Sequence, residues 1–220
     1  MKYYYFNRLP HLTPIAASYF ITIRLRDSLP QSLFLPIKEA YEEELHSVLK
    51  SNHSKADKER LTDDLKEKYF ANFESQLDNQ YGECHIAKPE IAFKVISKLK
   101  QYDKKYYDLY AYTIMPNHVH FLIDTAIQSK YINDPTEKDM VTGYKSLPSI
   151  MNLIKGGSSR ACNKLLNRKG AFWARDYYDR TIRNDNHWNN TIHYIINNPI
   201  KAGITSKPGE HEFTWVKIVE

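Results

Sequence analysis

The spacing of apolar residues predicts four strands along the chain. β-branched and aromatic residues predict a first strand at 17–26, and alternating apolar residues predict a second at 106–115. The apolar run at 118–124 predicts a third strand, which a short Pro-Asn turn joins to the second, so these two should be antiparallel neighbours. Interleaved aromatic and arginine residues predict a fourth strand at 172–183.

Apolar residues three and four positions apart predict five helices. The predicted helices cover residues 37–49, 58–77, 88–103, 147–167 and 184–198. Pro89 lies near the start of the third helix, where its missing N–H has no helical partner to lose. Asn184 or Asp185 caps the last helix, and Pro199 stands just past its end.

The order of these elements predicts the fold class. The first two helices belong to an acidic helical insertion at 37–83, and the remaining order is strand, helix, strand, strand, helix, strand and one extra helix. That order is the split βαβ arrangement of ferredoxin-like folds. We therefore expect an α+β protein that forms a single domain over 1–220, with an antiparallel sheet and an extra C-terminal helix at 184–198.

The charge of the chain is distributed unevenly. With 220 residues and 42% hydrophobic content the chain is long enough for a well-buried core, and its net charge is +5. Residues 37–83 hold twelve acidic against seven basic residues, whereas residues 145–183 hold nine basic against two acidic ones. A separate basic segment is typical of a protein that binds a phosphate backbone. A solvent-exposed basic face without a ligand would have the same charge.

The cysteines and the N-terminus indicate the compartment. Cys84 and Cys162 have neither the spacing of a metal site nor the density of a disulfide scaffold, so both should be free thiols. The N-terminus lacks a continuous apolar signal region, and no apolar stretch reaches about 18 residues. We expect a cytoplasmic protein with no membrane partner.

Two histidines interrupt the apolar run of the third strand. Because side chains alternate across a strand, His118 and His120 should project from the same face and could form half of a metal site. Hydrogen-bonded structural histidines are the simpler alternative. Tyr194 and Asn198 lie four residues apart and should share one face of the last helix. An Asn oxygen can complete a site for a divalent ion, and uncharged ligands leave the charge of that ion for a substrate phosphate.

These residues resemble those of a known family. The stretch MPNHVHFLI at 115–123 resembles the His-hydrophobic-His motif of the HUH single-strand endonucleases. The stretch YIINNPIKAGI at 194–204 is similar to the C-terminal signature of single-tyrosine transposases, in particular the REP-associated tyrosine transposase branch. Supporting matches occur in the expected order at 9–11, 19–30 and 172–185, so the resemblance extends through most of the chain.

The resemblance implies a site and a reaction. It implies that His118, His120 and Asn198 hold Mg²⁺ or Mn²⁺ and that Tyr194 is the nucleophile, cutting single-stranded DNA through a covalent 5′-phosphotyrosine. The implied partner is a hairpin-forming DNA repeat, and a second copy of the chain is a further candidate. Many relatives among the insertion-sequence transposases carry Gln as the third ligand, whereas Asn fits the REP-associated branch. The residues identify no general base. His187 and His193 are candidates, but His193 should point away from the face that holds Tyr194 and Asn198.

The basic segment supplies the expected DNA-binding residues. These are Lys155, Arg160, Arg175, Arg180, Arg183 and Tyr178. Arginines that alternate with aromatic residues suit a surface on which single-stranded bases stack. Tyr177 and Tyr178 point to opposite faces of a strand, so only one can join that surface, and at least one of Phe172 and Trp173 should be core.

Two other classes of function stay open on the residues alone. A split βαβ fold often binds nucleic acid without turnover, so a non-catalytic single-stranded DNA or RNA-binding module is the main alternative. A hydrolase in which a His-bound metal activates water is the other, and it would form no covalent intermediate.

Overall fold

The fold is described from a computed structural model. It describes residues 2–7, 9–14, 16–131 and 143–218, with side chains described for 16–130 and 143–218. The supporting match at 9–11 therefore lies outside the described side chains. The chain forms two compact units, one made of Met1–Arg26 with His85–Glu220 and the other of Asp27–Cys84.

The described residues of the larger unit form two antiparallel sheets. The N-terminal sheet pairs β1 (Lys2–Asn7) with β2 (Leu9–Pro14). The main sheet consists of β3 (Ser18–Arg24), β4 (Asp108–Ile114), β5 (His118–Asp124), β6 (Tyr178–Thr181) and β7 (Thr214–Val216). Its order is β6-β3-β5-β4-β7, and all neighbouring strands are antiparallel.

The helices complete the topology. Those of the larger unit are α3 (Pro89–Tyr102), α4 (Leu147–Leu165) and α5 (Asp185–Lys201). Along the chain the core order is β3-α3-β4-β5-α4-β6, and the four central strands lie in the order β6-β3-β5-β4. This is the ferredoxin-like arrangement, so the predicted fold class is confirmed. The sequence pattern did not predict β1, β2 or β7.

One face of the main sheet is packed and the other carries the histidines. The buried cluster that joins the sheet to α3 and α4 includes Ile21, Ile23, Val119, Phe121, Ile123, Val95, Leu99, Ile150 and Ile154. Since side chains alternate across a strand, the residues between these on β3 and β5 project from the opposite face. That face holds Phe20, Thr22, His118 and His120. The helix α5 contacts β4, β5 and β7.

The fourth strand is shorter than predicted. It covers only Tyr178–Thr181, whereas the aromatic pattern predicted 172–183. Before it, Trp173 forms an isolated bridge with Leu25, and the carbonyls of Arg175 and Asp176 accept hydrogen bonds from the ammonium of Lys155 at 2.7 and 3.3 Å. These carbonyls are bonded to a side chain instead of a neighbouring strand, so the ladder starts later.

The last helix extends further than predicted. Asn184 is its cap and accepts a hydrogen bond from the His187 N–H at 2.9 Å, which selects one of the two predicted caps. Pro199 lies inside the helix, which ends at Lys201, so the prediction that Pro199 stands past the end is wrong. A proline in the last turn removes one hydrogen bond, and the helix continues because Ala202 N–H still donates to the Asn198 carbonyl at 3.0 Å.

The smaller unit is a helical hairpin. It consists of α1 (Gln31–Lys50) and α2 (Lys55–Leu77), both of which overlap the predicted helices at 37–49 and 58–77. The rings of Tyr41 and Tyr69 pack at 4.7 Å, and Glu44 pairs with Lys68 at 3.0 Å across the two helices. The assignment of 37–83 as an insertion within a single domain stays a prediction.

The two cysteines are both free thiols. This was expected for Cys84 and Cys162, and burial raises the pKa of the Cys162 thiol to about 11.

In the described parts of the chain, every helix is too short or too polar to cross a bilayer.

Candidate metal and nucleophile site

A tight turn sets the position of the two histidines. The Met115 N–H donates to the His118 carbonyl at 2.9 Å, and the Leu25 N–H donates to the Asn117 carbonyl at 2.8 Å. The strand β5 then begins at His118, and His120 lies directly opposite Thr22 of β3. Both histidines are buried, with 1% and 0% of their surface exposed. The strand therefore places both rings on the face away from the α3 and α4 core.

The two imidazoles meet through their Nε2 atoms. His118 Nε2 and His120 Nε2 are 3.0 Å apart. Two nitrogens that each bind one ion at about 2.0–2.1 Å lie at most about 4 Å apart, so at this separation both could bind the same ion. The same distance also fits a hydrogen bond in which one ring donates to the other.

Each ring is also held at its other nitrogen. His118 Nδ1 is 2.7 Å from Asn117 Oδ1, and since a carbonyl oxygen only accepts, the His118 N–H donates there. His120 Nδ1 is 2.8 Å from the hydroxyl of Thr22. Histidines that bind metals usually have such a partner on the nitrogen that does not face the ion. The arrangement therefore suits the implied metal site.

The helix α5 brings the candidate nucleophile to the histidines. The ring of Tyr194 lies 5.3 Å from that of His120 and 5.6 Å from that of Phe20, edge-on in both cases. At the other end of the helix, Trp188 packs edge-on against Tyr110 at 4.7 Å. The structure thus brings together three of the four residues that the sequence singled out. Their chemical roles stay predictions.

Asn198, the fourth of them, follows Tyr194 by one helical turn. It is buried, with 1% of its surface exposed, and within the described residues neither Oδ1 nor Nδ2 has a hydrogen-bond partner. An unpaired buried amide destabilises a protein by about 1–3 kcal/mol. Two imidazole nitrogens and one amide oxygen form an uncharged ligand set for a divalent ion, in which the imidazoles suit transition metals and the amide oxygen suits Mg²⁺ or Mn²⁺. A buried amide oxygen that no group among the described residues satisfies fits the role of the third ligand.

The unpaired amide gives a prediction about stability. We expect Asn198→Leu to raise the free energy of unfolding of the metal-free protein by about 1 kcal/mol or more, because it removes a buried amide that has no partner in the described part of the chain. Thermal or urea unfolding in the presence of a chelator measures this. Asn197→Leu is the matched control, since Asn197 is exposed and its replacement relieves no buried amide. A clear loss of stability in Asn198→Leu would contradict the unpaired state.

The predicted DNA-binding residues lie in different surroundings. Arg160, Arg175 and Arg183 are exposed. Arg180 and Tyr178 are half-buried on β6 and pair in register with Phe20 and Thr22, so they share the face of the histidines.

Lys155 is engaged by the protein itself. Its ammonium donates to the two carbonyls before β6 and lies 5.8 Å from the centre of the Tyr177 ring. Burial lowers the pKa of Lys155 to about 8, with Arg24 adding to the effect and Asp176 opposing it. Gly156 and Gly157 lie inside α4, where the backbone N–H groups bond within the helix.

The aromatic residues at 172–178 lie on both faces of the sheet, as expected. Phe172 and Trp173 are both buried in the main core, and Trp173 Nε1–H donates to the Ser158 hydroxyl at 2.9 Å. Tyr177 also belongs to that core, whereas Tyr178 is half-buried on the opposite face. Only Tyr178 of the two tyrosines is therefore on the histidine face.

The sequence missed two residues of this site. Asn117 and Thr22 hold the histidine rings, and neither was singled out. Asn117 directly precedes His118 in the Pro-Asn turn, and this adjacency was a signal in the sequence that it could contact the His118 ring. Thr22 is almost a hundred positions from His120, and only the pairing register of β3 with β5 places it there.

One solved structure is similar to this chain at low sequence identity. No protein-family model matches the chain, and a search of curated proteins finds no match. Among solved structures, the chain is similar to one described as a REP-associated tyrosine transposase bound to a REP hairpin. The two are 14% identical, the match covers 93% of this chain and 79% of that one, and the TM-score is 0.48.

Proposed function

We propose that the protein is a metal-dependent single-stranded DNA endonuclease and strand transferase that acts through a covalent 5′-phosphotyrosine. One observation carries the proposal: the Nε2 atoms of His118 and His120 lie 3.0 Å apart, and the ring of Tyr194 packs 5.3 Å from that of His120. The two proposed metal ligands and the ring of the proposed nucleophile are thus neighbours.

Each residue of the proposed site would have a separate role in the reaction. His118, His120 and Asn198 would hold Mg²⁺ or Mn²⁺, which when bound would polarise the scissile phosphate. The phenolic oxygen of Tyr194 would form a bond to phosphorus while the bond from phosphorus to the 3′-oxygen breaks. The proton of the phenol leaves to solvent, and the departing 3′-oxygen takes up a proton to become a hydroxyl.

The covalent link would also permit strand transfer. A phosphotyrosine is itself a phosphodiester, so the attack of a free 3′-hydroxyl on it can reverse the first step without ATP. The tyrosine then regains its proton and the two strands are joined. We propose that Tyr194 serves the histidines of its own chain, because its ring already packs against that of His120.

The exposed arginines would bind the DNA strand. We expect replacement of Arg160, Arg175 and Arg183 by Gln to weaken binding of single-stranded DNA at every sequence. The slope of log affinity against log salt should fall by about 2, at about 0.7 for each phosphate that is no longer neutralised. Fluorescence anisotropy over a salt series measures both quantities.

A matched control separates local binding from net charge. Lys50, Lys55 and Arg60 are exposed residues of the hairpin α1–α2, and their replacement by Gln removes the same charge. For this control variant we expect little change in the slope of log affinity against log salt. Equal effects of the two triple variants would contradict a DNA site in the basic segment.

The proposed function is tested with labelled single-stranded DNA that contains a hairpin. Incubation with Mn²⁺ should give a protein-DNA adduct that survives denaturation, and a chelator should prevent it. A cut without an adduct would favour a metal-activated water. Binding that survives chelation, with no cut and no adduct, would favour a binding module without turnover.

A further inference from the structure

We propose that Thr22 is a positioning residue of the metal site, whose hydroxyl holds the imidazole of His120 so that Nε2 faces the ion shared with His118. The inference rests on the proposed metal site and adds a residue that the histidine motif does not contain. Thr22 does not touch the ion or the DNA in this proposal; it acts through His120.

The contacts of His120 carry the inference. Thr22 lies opposite His120 in the antiparallel register of β3 and β5, and its Oγ1 is 2.8 Å from His120 Nδ1. Both residues are buried, with 2% and 0% of their surface exposed. The Phe20 ring stacks on that of His120 at 5.5 Å. The hydroxyl therefore fixes the rotation of a ring whose flat side is already packed.

A hydroxyl can hydrogen-bond to His120 Nδ1 whether or not an ion is bound, because it can both accept and donate. With an ion on Nε2, neutral His120 carries its proton on Nδ1, and that N–H donates to the Thr22 oxygen. Without an ion, the hydroxyl can turn and donate to Nδ1, while the Nε2–H of His120 donates to His118 Nε2. A valine has the same shape but accepts no hydrogen bond, so the Nδ1–H would lose its bond to the Thr22 oxygen when the ion binds.

The chain supplies a matched control on the other side of the same histidine. Thr113 of β4 also lies opposite His120 in register and is fully buried. Its hydroxyl bonds to that of Thr214 at 2.7 Å instead of to the histidine. Thr113→Val thus removes a buried hydroxyl next to His120 without removing a partner of its ring.

The experiment is a calorimetric titration of the metal-free full chain with Mn²⁺, without DNA. We expect Thr22→Val to weaken Mn²⁺ binding by about 10–100-fold, the usual effect of removing the partner of a metal-binding histidine. Thr22→Ser keeps the hydroxyl and should bind within about threefold of the wild type, as should Thr113→Val. The melting temperature of each variant shows that it is folded, and Thr22→Ala replaces Thr22→Val if the valine does not fold.

The outcomes separate this inference from the proposed function. If His120→Ala loses Mn²⁺ binding but Thr22→Val binds as the wild type does, Thr22 has no positioning role and the metal site stands. If Thr113→Val weakens binding as much as Thr22→Val does, the effect is general to the core and the inference is wrong. If the wild type and His120→Ala bind Mn²⁺ equally, the metal site and the role of Thr22 both fail.

Discussion

Tyr194→Phe is expected to form no covalent adduct with single-stranded DNA and to leave the strand uncut. The substitution removes only the phenolic oxygen, which is the atom proposed to bond to phosphorus. The ring that packs against His120 and Phe20 remains, so α5 should stay docked and Mn²⁺ binding should be unchanged. Denaturing electrophoresis of labelled DNA should show at least about a thousandfold less adduct than the wild type.

The control for this prediction is another tyrosine of the same unit. Tyr112 is buried and stacks on Trp215 at 5.6 Å, in the core cluster and off the histidine face. Tyr112→Phe should form the adduct as the wild type does. If Tyr194→Phe also formed it, the nucleophile would be a different residue and the central assignment would be wrong.

A mixture of two inactive variants tests whether one chain is sufficient. Tyr194→Phe keeps the histidines, and His120→Ala keeps the tyrosine. If the helix of one chain serves the histidines of another, the mixture should recover adduct formation. We expect no recovery, because Tyr194 packs against the His120 of its own chain.

The sequence predicted correctly those features that depend on residues close together in the chain. The strand β5 combines an apolar run with a preceding Pro-Asn turn, and its alternation correctly places His118 and His120 on one face. The spacing of Tyr194 and Asn198 likewise depends only on the helical repeat. The split βαβ order followed from the succession of these elements and is confirmed by the strand order.

The features that could not be predicted depend on distant parts of the chain. The three-residue strand β7 exists only because β4 offers it an edge, and its short sequence has no periodicity of its own. Lys155 was expected to bind DNA, but its ammonium donates to the carbonyls of Arg175 and Asp176, a pairing that requires the folded packing of α4. Its role in DNA binding stays a prediction.

His120→Ala is expected to lose both Mn²⁺ binding and cleavage. The loss should exceed about a hundredfold in affinity, because the substitution removes a proposed ligand and leaves His118 Nε2 without the neighbour that lies 3.0 Å away. Calorimetry measures the binding, and the adduct assay measures the reaction over a series of Mn²⁺ concentrations. Excess Mn²⁺ should restore part of the adduct if His118 and Asn198 still hold the ion.

The control for this last prediction is a histidine in similar surroundings. His211 is half-buried, its Nδ1 lies 3.1 Å from the hydroxyl of Thr214, and its ring packs edge-on against Phe213. His211→Ala removes an imidazole with a threonine partner at the edge of the same sheet, so it should cost stability without weakening Mn²⁺ binding. Cleavage by His120→Ala at the wild-type rate, with the same dependence on Mn²⁺, would exclude this pair of histidines as the metal site. Another group would then have to polarise the phosphate that Tyr194 attacks.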